Sequence, residues 1–265
     1  MYLHGHHDSV LRSHRWRTAA NSATHLLPHL REGMSLLDVG CGPGTVTVDL
    51  ARSVAPGEVV GLDSAPEVLE EARAHAADAG VGTVRFEVGD AYRLPFDDAS
   101  FDVVHAHQLL QHLTDPVAAL REMRRVARPG GLVAVRDSDY GGFAWFPESD
   151  GLEEWRQLYR EVAAALGAQA DAGRRLSSWV REAGFDPDGV EVGAGTWCYA
   201  TAVERAWWSR LWADRCVASG FASAALAHGL ADEVALEQLA EAWRAWGEEQ
   251  DGWFVVLHGE VLARA

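Results

Sequence analysis

The chain has 265 residues, 48% of them hydrophobic, a formal net charge of -16 and three cysteines. That apolar share supplies a sizeable core and excludes wholesale disorder, while the negative surface repels phosphate backbones and anionic bilayers and argues against nucleic acid as substrate. Cys41, Cys198 and Cys216 form no C-x-x-C pair, so neither a disulfide framework nor a zinc ribbon is indicated, and the expectation is a cytoplasmic protein with no secretory leader and no membrane span.

Residues 1–15 read as a polar arm. Residues 16–30 read as a helix on the spacing of Trp16, Ala19, Ala20, Ala23 and Leu27; together, 1–30 form a candidate lid. Strands and helices then alternate through 31–140: "SLLDVG", a helix over 45–54, "EVVGLD", a helix over 66–79 with Pro at its start and Gly80 after its end, "VRFEVGD", "FDVVHAHQ", a helix over 116–127 stopped by "RPGG", and "LVAVRDSDY". Beyond 140 the rhythm breaks. Residues 141–265 carry the rest of the sheet with two Trp-rich, mostly helical cap insertions, 141–176 and 201–250. A helix "RLSSWVREAGF" and a strand "GVEVGAGTWCYA" lie between them, and a last strand, "GWFVVLHGEVLARA", ends the chain. The pattern predicts an α/β fold: a doubly wound, seven-stranded, mostly parallel, Rossmann-like sheet with helical caps. Ligands of such sheets bind at the carboxyl edge, where the strand order switches.

The turn after the first strand is D-x-G-x-G-x-G, from Asp38 to Gly44, with Cys41 and Pro43 inside it. Its glycines let backbone approach a ligand, and the following helix offers free N–H groups. A dinucleotide turn has G-x-G-x-x-G spacing, and a pyrophosphate would not favour the carboxylate of Asp38. A ligand with a sulfonium or ammonium charge tolerates it. Asp63 ends the second strand, where a carboxylate can accept both ribose hydroxyls; Asp90 ends the third, where it can accept from an adenine amino group; His107 and Gln108 end the fourth. Asp at a strand end is also ordinary turn chemistry. The appearance of these residues after successive strands is what points to one shared ligand.

"LLDVGCGPGT", "VVGLDSAP" and "FEVGDAYRLPFDDASFDVVHAHQLLQHLTDPVAALREMRRVARPGGLVAV" together resemble a class I S-adenosylmethionine-dependent methyltransferase, nearest to the C-methyltransferases of ubiquinone and menaquinone biosynthesis. The resemblance implies S-adenosyl-L-methionine as cofactor. It implies that Asp38, Gly40, Cys41, Gly42 and Gly44 surround the methionine end, that Asp63 holds the ribose with Ser64 and Ala65 beside the adenine, that Asp90 and Ala91 edge the adenine, and that His107 lies near the reacting methyl group. It also implies an antiparallel strand at one edge of the sheet, for which the terminal segment is the candidate.

The acceptor is expected to be a small molecule, apolar or aromatic, with a cationic amine as an alternative suited to a Trp-rich cap. An acidic acceptor needs a base. The candidates are His107 and His112 first, then His4, His6, Asp139 and Tyr140. Asp137 and Asp139 can also orient a substrate or cap a loop. Arg15 or Arg17 can meet the cofactor carboxylate as a fork. No metal site is expected, although His4, His6 and His7 lie close together in the arm. Core packing is the plainer account of most of the eleven Trp, and the helices of the second insertion are candidates for packing in a homodimer. The rival readings are an NAD-dependent oxidoreductase and a non-catalytic cofactor-binding partner.

Overall fold

Leu36–Val39, Val59–Asp63 and Phe101–His107 are short apolar runs buried almost throughout, as strands in the middle of a parallel sheet must be. The computed structural model describes residues 13–265. In chain order the elements are α1 (Ala19–Ser22), β1 (Leu36–Val39), α2 (Thr45–Val54), β2 (Val59–Asp63), α3 (Pro66–Asp78), β3 (Val84–Val88), β4 (Phe101–His107), α4 (Pro116–Val126), β5 (Ala127–Ser138), β6 (Ala144–Phe146), α5 (Asp150–Ala165), α6 (Leu176–Glu182), β7 (Val190–Tyr199), α7 (Ala202–Ala218), α8 (Gly220–Ala227), α9 (Glu233–Glu248) and β8 (Trp253–Arg264).

The strand order is β3-β2-β1-β4-β5-β8-β6, with β7 also on β8. Strands β1 to β5 pair in parallel, and β8 runs antiparallel to β5, β6 and β7. The order switches between β1 and β4, so the loops after these two strands open the crevice in which a ligand can sit. Two apolar clusters cover the faces of the sheet. A third, built on Trp155, Trp212 and Trp243, holds the cap helices α5, α7, α8 and α9 together.

The structure departs from the sequence expectation in four places. The helix expected over 16–30 is only the four-residue α1 and a 3-10 turn, Leu27–His29. Thr18 caps α1 in a reciprocal box with Asn21, so the helix starts late; Ala23 then leaves helical backbone space, and Pro28 enters the turn. Within 141–176, residues Ala144–Phe146 form β6 against β8, and Trp145 stacks on Phe254 at 5.7 Å; a three-residue strand leaves no readable period. The second insertion is three helices, divided by the N-caps Ser219 and Asp232. The terminal strand is antiparallel but not at an edge: β8 pairs with β5 and β6 and with β7, and β7 takes the outside position. Phe254, Val256, Val261 and Ala263 on β8 are at most 2% exposed, which favours the interior place.

Candidate active site

The glycine turn is shaped by close packing. Gly40 sits at φ +73°, and a Cβ there would lie 2.9 Å from Leu109 Cδ1. Gly44 sits at φ +76°, and its Cβ would lie 2.9 Å from the Cβ of Ala72 on α3. Only glycine satisfies both constraints. Gly44 is also the N-cap of α2 and offers no side-chain cap, so the first N–H groups of that helix are left for a ligand.

Around this turn lies a cavity of about 290 Å³, just under the range of small-molecule pockets. Asp38, Gly40, Cys41, Gly42, Asp63, Ser64, Asp90, Ala91, His107, His112 and Arg17 all line it. Gly44 is not in the wall; it stands behind, where α2 and α3 meet. Asp38 is 3% exposed and both its oxygens are engaged: Thr47 Oγ1 donates to Oδ2 at 2.5 Å, and His105 Nδ1 lies 2.7 Å from Oδ1. It fastens β1 to α2 and β4. Asp63 accepts from the backbone N–H of Gly42 at 3.0 Å and of Ala65 at 3.1 Å, one on each oxygen, so each oxygen keeps a lone pair. Asp90 accepts from Tyr92 N at 2.9 Å through Oδ1. Burial, followed by the nearby Asp38 and Asp63, pushes the Cys41 thiol up, which keeps it protonated and unreactive.

A second, smaller cavity of about 30 Å³ adjoins the first. His14, Arg17, Gln108 and His112 belong to both walls. The rest of its lining is strongly aromatic and includes Trp16, Trp197, Tyr199, Trp207, Trp208 and Trp212. The tryptophans therefore divide: Trp155, Trp243 and Trp246 are packing residues of the cap, while others wall a chamber.

Gln108 joins the two spaces. It sits at φ +51°, a conformation that costs a non-glycine residue energy and collects at functional sites. Its Oε1 accepts from Arg17 at 2.5 Å, and its Nε2 donates to Ser138 Oγ at 2.8 Å and lies 2.9 Å from His258 Nε2. Arg136, 2% exposed, reaches the other ring nitrogen of His258 at 3.0 Å and pairs with Glu260 at 2.9 Å. Burial lowers Arg136 to about 10 against the pull of Glu260. Burial, then Arg17 and Arg136, holds His107 well below the usual imidazole range, and burial, then Arg17 and Arg215, holds His112 at about 3. Both are neutral at physiological pH. Neither ring nitrogen of His107 has a hydrogen-bond partner among the described residues.

The other candidates are elsewhere. Asp139 is bound by Arg174 through Nε at 2.8 Å and Nη2 at 2.5 Å, so it is a structural anion and not a free base. Asp137 is buried beneath Gln111, whose N–H it accepts at 3.0 Å. Tyr140 stacks on Tyr159 at 3.8 Å in the cap core and lines the small chamber. Arg15 turns outward to Glu71 at 2.6 Å, leaving Arg17 as the guanidinium at the cavity. His4, His6 and His7 lie outside the described residues, as do residues 1–12 of the candidate lid. Its described part crosses the site: Thr45 Oγ1 donates to His14 O at 3.2 Å. The sequence reading placed Gln108 at the ligand edge without a role, and it missed His105 and Thr47 as site residues. His105 was findable, because it stands two positions before His107 on β4 and so faces the same side.

Comparison with known proteins agrees with this geometry. The family described as Methyltransferase domain matches residues 30–184. An uncharacterized methyltransferase of Schizosaccharomyces pombe is 34% identical over 98% of this chain and 95% of its own length. A demethylmenaquinone methyltransferase of Staphylococcus aureus is 32% identical, but over 61% of this chain and 65% of its own. Among solved structures, a putative methyltransferase from Bacillus halodurans superposes with a TM-score of 0.57 at 21% identity, covering 91% of this chain and 97% of that one. The family match removes the ground for an NAD-dependent oxidoreductase. The chain belongs to the class I S-adenosylmethionine-dependent methyltransferases.

Proposed function

We propose that the protein transfers the methyl group of S-adenosylmethionine to a small, apolar or aromatic acceptor. The observation that carries this reading is the junction of two cavities at the carboxyl edge of the sheet: one is lined by the glycine turn and the strand-end carboxylates, the other by aromatic rings. The residues fit the cofactor. Asp63 has one lone pair per oxygen left for the ribose hydroxyls, and Ser64, Ala65, Asp90 and Ala91 provide an edge for the adenine. Gly40, Cys41 and Gly42, with Asp38 beneath them, flank the methionine end; Gly44 sets the position of α2 behind them, and Arg17 serves the carboxylate. When bound, the cofactor supplies an electrophilic methyl group on a sulfonium. The chain supplies proximity, orientation and exclusion of water. His107 and His112 are the proposed catalytic pair. As neutral imidazoles each offers one N–H and one lone pair, so they orient the acceptor by hydrogen bonding. The cytoplasmic setting accords with three free cysteines, and no helix among the described residues is long and apolar enough to cross a membrane.

Calorimetry with S-adenosylmethionine and S-adenosylhomocysteine tests the cofactor half, and incubation with methyl-labelled cofactor and a cell extract tests the acceptor half. Binding of both nucleosides and one labelled small molecule is the expected result. No binding sinks the proposal. Binding without transfer to any fraction favours a non-catalytic cofactor-binding partner.

A further inference from the structure

The polar chain behind the junction is one acceptor short. His258 on β8 lies between two groups that only donate: Arg136 Nη2 is 3.0 Å from its Nδ1, and Gln108 Nε2 is 2.9 Å from its Nε2. A neutral imidazole has one lone pair, and a protonated one has none. One of the two contacts therefore sets a donor against a donor, whichever nitrogen carries the hydrogen. The carbonyls of Val256 and Gly195 near the ring accept a hydrogen and supply no lone pair to spare for a donor on the ring. Arg136 has no freedom to turn away: it is 2% exposed, pairs with Glu260 at 2.9 Å, and its Nη1 is already without a hydrogen-bond partner among the described residues.

Gln108 is the member that can adjust. Turning its carboxamide over puts Oε1 against His258 Nε2–H and the hydroxyl of Ser138, and every group at that end is then matched. The same rotation turns Nε2 toward Arg17 Nη2, which Oε1 receives at 2.5 Å in this structure. Arg17 donates wherever it points, so its other contacts do not alter the shortage. The carboxamide thus satisfies His258 or Arg17 and never both. Its backbone is held at φ +51°, with Gln108 N–H donating to Arg136 O at 2.7 Å, so the side chain has no second place to go.

The missing acceptor is an oxygen brought by a ligand. Gln108 and Arg17 both line the larger cavity, with the glycine turn that flanks the methionine end in the proposed cofactor site; the inference rests on that reading. We infer that Gln108 is a second residue of the carboxylate site, beside Arg17: its Oε1 turns to His258 and Ser138, and its Nε2 donates to a carboxylate oxygen of the cofactor. His258, held by Arg136 and Glu260, is the positioning residue. It favours the donor orientation of Gln108 as soon as Arg17 turns from the carboxamide to the carboxylate, and the two charge-assisted bonds then form together.

The test titrates the full chain calorimetrically at neutral pH with S-adenosylhomocysteine and with methylthioadenosine, which keeps the thioether nucleoside and lacks the carboxylate. Gln108→Met removes the donor at similar size and without charge. It is expected to weaken S-adenosylhomocysteine ~10-fold or more, the scale of a hydrogen bond to a charged group, and methylthioadenosine by less than ~3-fold. His258→Phe keeps a ring and removes both nitrogens. It is expected to reduce the preference for S-adenosylhomocysteine by ~3-fold or more, with no further loss when added to Q108M. Gln108→Glu supplies the missing acceptor, one oxygen for His258 and one for Arg17, and is expected to raise the melting temperature of the ligand-free protein. That last result stands by itself if Q108M or H258F does not fold, or if methylthioadenosine binds too weakly to titrate. A Q108E protein that melts at or below the parent overturns the inference. So does a Q108M protein that keeps its affinity for S-adenosylhomocysteine, or loses both ligands equally, and so does a preference unchanged in H258F. A parent chain that does not bind S-adenosylhomocysteine overturns the methyl-transfer reading instead.

Discussion

Asp63 shows how one side chain serves two tasks. Its carboxylate ties the glycine turn to β2 through Gly42 N–H and starts the next loop through Ala65 N–H, and both tasks leave it facing the cavity. Replacing it with alanine removes a charged acceptor from ribose hydroxyls and frees the turn. We expect Asp63→Ala to weaken S-adenosylhomocysteine binding by about 1–3 kcal/mol, or ~5- to 150-fold, in calorimetry. An unchanged dissociation constant in a folded variant would contradict the assigned role. Asp38 makes the complementary case. It was legible as a carboxylate at the turn, but its partners Thr47 and His105 come from α2 and β4, and no local spacing announces such a triad. Asp38→Asn keeps the shape and alters the charge next to a buried imidazole. It is expected to lower thermal stability by about 1–3 kcal/mol even without ligand, because His105 loses its charged acceptor. A melting temperature equal to that of the parent would show that the triad carries no stability.

At the scale of elements, the cofactor rim and the acceptor chamber differ in how much sequence assembles them. Each rim residue lies at or just beyond the carboxyl end of its own strand, so the alternation of strands and helices was enough to gather Asp63, Asp90 and His107 at one edge. The chamber draws Trp16 and Arg17 from before the sheet, Tyr140 and Phe143 from after β5, Trp197 and Tyr199 from β7, and Trp207 to Arg215 from α7. Those contacts span nearly the whole chain and depend on β8 entering between β5 and β7, which no periodicity encodes. The cap has its own keystone. Trp155 on α5 is 0% exposed and meets Trp212 of α7 at 4.5 Å and Trp243 of α9 at 4.8 Å. Trp155→Ala is expected to cost about 3–5 kcal/mol by denaturant unfolding, as large aromatic deletions in cores do. Any variant population that stays folded should bind S-adenosylhomocysteine within ~3-fold of the parent and lose affinity for acceptors, because the rim is built on the other strands. A parallel loss of both affinities would show that cap and rim are one unit.

For the whole molecule, pH acts through buried groups more than through the net charge of -16. Burial leads the lowering of four imidazoles: His25 and His112 to about 3, His107 and His258 well below the usual range. Each has a folded pKa below its unfolded one. The stability it contributes is therefore fully present above about pH 6.5 and is lost as pH falls toward the folded values. Asp137 works in the opposite sense. Its folded pKa of about 7 lies above the unfolded value, so between those values a fall in pH restores stability. Near pH 5 the unfolded chain protonates His25 and His112 while the folded chain keeps both neutral and protonates Asp137, and the imidazoles win. Stability should then fall on acidification by about 1.4 kcal/mol per pH unit, from the net difference of about one proton over these three groups, with His107 and His258 acting in the same direction. Scanning calorimetry between pH 7.5 and 5 is expected to show a steep drop in melting temperature well before ordinary carboxylates titrate. Raising salt should soften it little, since these groups are shielded from solvent and interact within the protein. A melting temperature that holds flat through this range would mean that the imidazoles become hydrated without unfolding the sheet, and that the polar core around Gln108 opens to water far more readily than its packing implies.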